Sequence, residues 1–126
     1  MPTEKKSMVE RTRRLSGKVL PFILSAEDDT LRERAASSKD GRAAKTLVKQ
    51  GPLSIVLVAL RKGAAFKSHQ VTGPVTIQSL RGCVSVKTDT REIEVPAGTL
   101  VSLGAGVTHD ARAQDDCAIL LTVVLA

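Results

Sequence analysis

The chain has 126 residues, 42% of them apolar, and 19 Lys and Arg against 13 Asp and Glu give it a net charge of +6. That length suffices for one domain with a real core and falls short of two. Phe22 and Phe66 are the only aromatic residues, so a core or pocket must be aliphatic and offers almost no ring stacking to a sugar, flavin or nucleobase.

Residues 1–18 hold six of the basic residues and two glutamates, a net of +4. They lack an apolar period and read as a flexible basic N-terminal arm, solvated rather than bound to nucleic acid, because no stacking aromatics accompany the charges. Residues 19–43 form a second segment. Its apolar start, Val19 to Ser25, is broken by Pro21 and suits an edge strand in this chain or in a neighbour's. Ser25 then stands where an N-cap is wanted, with Glu27, Asp28 and Asp29 in the next turn, which predicts a short helix over 26–37. Leu31 and Ala35 share one face of that helix, and 38–41 form a polar turn.

From Ala44 to Ala126 the pattern is β. Thr46–Lys49 and Leu53–Leu60 flank Gly51-Pro52, and the second run is apolar on both faces. Further strands are expected at 64–69, 74–80, 83–87, 91–95, 99–103, 107–111 and 118–125, divided by glycine- and proline-bearing turns. Short strands at such spacing indicate a sandwich or barrel. In the run from Pro74 to Leu80, Val75, Ile77 and Ser79 share one face, and Thr76, Gln78 and Leu80 the other.

No apolar run approaches the length of a membrane span, and the chain opens without an apolar export signal. Cys83 and Cys117 stand apart with no C-x-x-C spacing, which predicts two free thiols and a cytoplasmic location. A disulfide between them, or a zinc site shared with the two histidines, is an alternative that spacing does not support.

The run from Gly63 to His109 resembles the cupin superfamily, and in particular small single-domain bacterial cupins of the RmlC-like kind. Gly63, His69 and Gly82 fall on the frame of the first cupin motif. Gly98, Gly106 and His109 fall on the second, with Gly104 where proline is usual. The resemblance covers roughly 46–126 and implies an all-β, cupin-type double-stranded β-helix, or jelly-roll barrel, behind a short N-terminal helix. It also implies that His69 and His109 face one cavity. The four metal-ligand positions of the family fall on His69, Val71, Val75 and His109. Two of these are valines without a lone pair, so the metal-ligand set reduces to His69 and His109. Gln70, Gln78, Thr76 and Asp110 are candidate oxygen donors, although strand alternation turns Gln70 and Gln78 away from the histidines.

These residues support a small-molecule binder whose pocket is formed by His69, Val71, Val75, Ile77, Val101 and His109. It would hold no cofactor or a weakly held divalent metal ion. The alternative is a divalent-metal enzyme (a dioxygenase, isomerase or decarboxylase) working through His69 and His109. A metal-free reaction with His109 as base ranks lowest, since no carboxylate within the motif frame would orient it. The expected partners are a small-molecule ligand and a second copy of the chain, a homodimer joined through exposed strand edges or the 19–24 segment. Neither nucleic acid nor a membrane is expected.

Overall fold

Alternation of side chains along short strands builds this molecule, and a computed structural model describes it for residues 15–67 and 72–125. One helix, α1 (Leu24–Ser37), precedes nine strands among the described residues. These are β1 (Arg42–Gln50), β2 (Leu53–Leu60), β3 (Ala65–Lys67), β4 (Val75–Arg81), β5 (Cys83–Thr88), β6 (Glu92–Pro96), β7 (Leu100–Leu103), β8 (His109–Ala113) and β9 (Cys117–Val124). They form a five-stranded sheet ordered β1-β2-β9-β4-β7 and a four-stranded sheet ordered β3-β8-β5-β6, with every pairing antiparallel. The architecture is the expected all-β jelly roll with a short N-terminal helix.

Strand period decides what lies between the sheets. Val56, Val58 and Leu60 of β2 meet Val75 and Ile77 of β4 and Ile119 and Leu121 of β9 in one cluster, closed by Val84, Val86, Val95, Ala111 and Ala113 of the other sheet. Fully burying a side chain such as Ile77 contributes about 1.5–3 kcal/mol. The alternate residues Leu57 and Ala59 point outward and join Leu31 and Ala35 of α1, with Ala43, Leu47 and Val48 of β1, in a second cluster. The continuous apolar run of β2 thus reflects a strand covered on both faces.

Two ion pairs tie α1 to the sheet. Lys45 Nζ donates to Glu27 Oε1 at 2.8 Å, and Arg81 reaches Asp28 through Nε and a terminal nitrogen at 2.9 and 3.1 Å. Breaking such a part-buried bidentate pair leaves a charge without its partner and costs more than losing a surface ion pair. The acidic first turn expected to complement the helix dipole therefore acts mainly by docking.

Three expectations change at the N-terminal side. The edge strand over 19–25 is not formed within this chain: residues 19–23 have no ladder, and the helix opens at Leu24. Pro21 lacks an N–H for a ladder, and Phe22 and Leu24 bury against the outer cluster instead. Ser25 is not the cap, because Ile23 holds that position with no side-chain hydrogen bond. The β region begins at Arg42 rather than Ala44, as β1 pairs with β2 along its whole length around a bulge near Leu47. Residues 1–14 of the expected basic arm lie outside the described residues. Just beyond them, Leu15 O accepts from Lys49 N and Gly17 N donates to Gln50 Oε1, so this stretch lies on the open edge of β1.

Gly82 is pinned where β4 turns into β5. Its φ is +70°, and an added Cβ would sit 2.3 Å from the Asp116 carbonyl oxygen. Gly98, at φ +84°, has nothing within 4 Å of that position. Urea unfolding should therefore show Gly82→Ala destabilised by about 3 kcal/mol or more, from combined backbone strain and overlap. Gly98→Ala should lose only about 1–2 kcal/mol, the left-handed penalty alone.

Candidate functional site

Among the described residues, one end of the barrel sets two polar residues, His109 and Thr88, against an aliphatic interior. Along β8, His109, Ala111 and Ala113 are buried while Asp110 and Arg112 are exposed, so alternation turns the His109 ring inward. Thr88 stands opposite it on β5. Residues 104–108 carry the chain from Leu103 to His109 and keep both at the same end. Across the barrel, Val75 pairs with Leu103 on one side and Val123 on the other. This end is rimmed by Val107, Val124 and Leu125, all partly exposed apolar residues.

His109 is 4% exposed, and its Nδ1 lies 3.1 Å from the Val107 carbonyl oxygen. A carbonyl only accepts, so Nδ1 carries the proton and donates, which puts the lone pair of the neutral ring on Nε2. Of the other expected pocket residues, Val75 faces the same interior, and Val101 packs against the core from β7. Ile77 is 1% exposed and sits one layer deeper, opposite Val101 and Leu121. His69 and Val71 lie outside the described residues.

Below these layers the barrel is filled. Val58, Val84, Val95, Ile119 and Cys117 are fully buried, and Ser79 Oγ satisfies itself on the Gly82 carbonyl at 3.1 Å. At the His109 end, by contrast, Val101 and Val123 are half-buried and Val107 and Val124 are exposed. Burial pushes the Cys117 thiol up to about 11. Cys83, on the outer face, is also raised, by burial first and then by its 3.4 Å contact with Glu94. Both cysteines are free thiols.

The side chains do not fit the resident divalent ion that the family resemblance implies. Val75 has no lone pair, and neither has Val71 by its chemistry. Thr76 and Gln78 pair in register with Thr122 and Leu120 on the outer face, and Asp110 is exposed. Among the described residues no group of three or more His, Cys, Asp or Glu is placed to hold a metal. Two imidazoles fall short of the three or four protein ligands of stable sites.

A separate groove of about 450 Å³ lies between α1 and the ends of β2 and β4, with Arg32, Glu33, Arg61, Arg81 and Asp116 on its walls. Its cations are engaged: Arg81 holds Asp28, and Arg61 donates to the Ala36 carbonyl oxygen. The sequence carries no sign of this groove, because Asp28 and Arg81 are 53 residues apart.

No family model matches the chain, and no curated protein matches it. Solved structures do. A conserved protein of unknown function from Streptococcus pyogenes is 27% identical, with a TM-score of 0.65 over 71% of this chain and 78% of that one. A cupin superfamily protein from Desulfitobacterium hafniense is 14% identical, with a TM-score of 0.67 over 73% and 87%. An RmlC-like cupin from Desulfovibrio desulfuricans is 20% identical, with a TM-score of 0.60 over 86% and 94%. No helix among the described residues is long and apolar enough to cross a membrane.

The Cys117 shift sets a pH dependence. A thiol raised from 9.0 to about 11 keeps its proton in the folded state after the unfolded chain has lost it. The stability it contributes is complete below pH 9 and is lost as pH rises toward 11. Unfolding midpoints measured across that interval should fall more steeply for the wild type than for Cys117→Ala, whose curve lacks this contribution.

Proposed function

On the premise that the chain is a cupin by fold, we propose that its barrel mouth binds a small aliphatic molecule bearing one hydrogen-bonding or acidic group. The observation that carries this reading is the buried imidazole of His109 at the end of the barrel where Val75, Leu103 and Val123 line the opposite sheet. An apolar body packs on the five-stranded sheet, and its polar end meets the imidazole and Thr88 on the other. With its Nδ1–H given to the Val107 carbonyl, the neutral ring accepts at Nε2 from an alcohol or amide, and the protonated ring donates there to a carboxylate. With no tryptophan or tyrosine in the chain, a flat aromatic ligand would have only the two phenylalanines to stack on. Self-association belongs to the same reading, since small barrels with open sheet edges pair through them.

The His109 ring is the reporter. Titration with hexanoate, followed by NMR of the imidazole nitrogens and of the Val75 and Val123 methyl groups, should move both sets of signals together. His109→Ala should weaken that binding about tenfold or more, the effect of one buried charge-assisted hydrogen bond. Signals that stay fixed at millimolar hexanoate and hexanol, or shifts confined to surface lysines, would overturn the proposal.

Elemental analysis tests the divalent-metal alternative independently. Protein purified without chelators should contain well under one equivalent of divalent ion. A stoichiometric ion that disappears in the His69→Ala/His109→Ala double variant would restore the metal-enzyme reading.

A further inference from the structure

The five-stranded sheet is unbalanced in charge. None of its strands carries an Asp or Glu, and the 48 residues from Gly41 to Thr88 contain neither. Three of its cations are matched by carboxylates from outside the sheet: Lys45 by Glu27, Arg81 by Asp28 and Arg42 by Asp40. Lys49, where β1 reaches the His109 end, makes no ion pair among the described residues.

The same end exposes a belt of aliphatic tips. Leu15 O accepts from Lys49 N, Leu125 N donates to Pro52 O, and Val124 N donates to Pro74 O. These bonds set Leu15, Pro52, Leu125, Val124 and Pro74 side by side along the ends of β1, β2, β9 and β4. Val107 extends the belt from the turn after β7. All six are exposed, and they include four of the six exposed large apolar residues among those described. Arg13 and Arg14 directly precede Leu15 in the chain, and residues 1–18 hold +4 of the molecule's net +6. That basic segment joins the fold at this rim.

We propose that the rim docks on the surface of an anionic lipid bilayer. The aliphatic tips enter the headgroup boundary, while Lys49, Arg13, Arg14 and the rest of the arm face acidic headgroups. Charge disfavours a second copy, since two rims of like sign repel. Nucleic acid would leave the belt unused and find neither Trp nor Tyr to stack on. Turn tips at separate strand ends form a row of points, which a fluid surface meets without the shape complementarity a protein partner needs. The expectation of no membrane partner rested on the lack of a spanning run, and a surface contact requires none.

Cosedimentation of the full chain with vesicles tests the proposal, with circular dichroism to confirm that each variant folds. The wild type should bind vesicles of phosphatidylcholine mixed with phosphatidylserine and leave them as salt is raised. Phosphatidylcholine alone should bind at least about tenfold more weakly. Arg13→Glu/Arg14→Glu should weaken binding to the mixed vesicles more than about tenfold, at roughly fivefold per charge removed. Val107→Asp and Leu125→Asp, each at an exposed tip, should weaken it about fivefold or more. Arg34→Glu, exposed on the last turn of α1 at the opposite end, should change it less than about twofold. No binding to mixed vesicles, or equal binding to neutral ones, overturns the proposal. So does a loss in Arg34→Glu that matches the arm variant, or binding that survives both Asp variants. Retention of an oligonucleotide without vesicle binding would assign the arm to nucleic acid and overturn it as well. The hexanoate titration reads the pocket and the vesicles read the rim, so either reading can fail alone.

Discussion

Packing between the two sheets with side chains no larger than leucine and a lone phenylalanine is the constraint on which the rest depends. Aliphatic residues of similar size interdigitate well at the usual spacing of stacked sheets. They fill the lower barrel from Cys117 up to Ile77. With the lower barrel filled, the layer around His109, Val75, Leu103 and Val123 is where the proposed ligand would have to bind.

The same constraint explains the helix. β2 is apolar on both faces, so its outer residues need a cover, and α1 supplies it with Leu31 and Ala35. Hydrophobic contact fixes the layer, while Glu27–Lys45 and Asp28–Arg81 fix where along the sheet the helix rests. Glu27 leaves its second carboxylate oxygen buried without a hydrogen bond. That is a cost of using charge to position an element the apolar cluster already holds.

Strand order, turns and inward faces were legible because alternation and glycine placement are local signals. Val75, Ile77 and Ser79 alternate inward as read, and Gly82 and Gly98 stand at positive φ where the turns were expected. The helix start was less legible. Ser25 has the right chemistry for a cap, yet burial of Leu24 and the docking of Asp28 on a residue far along the chain pull the first turn earlier. Sequence spacing carries no information about such a distant partner. For the site, spacing placed His109 and Val75 inside the barrel but could not say that Ile77 would be sealed beneath them. That depends on how residues of the opposing sheet pack, and no local pattern encodes it.

β4 is an interior strand of its sheet, flanked by β9 and the edge strand β7. One of its ends presents Val75 to the candidate site, and the other holds Arg81 against the helix. The strand that shapes the mouth is thus anchored far from it by a clamp spanning two layers of the molecule. Under the proposed reading, a ligand would rest on this doubly anchored strand, and the floor of its site would be as stiff as the sheet itself.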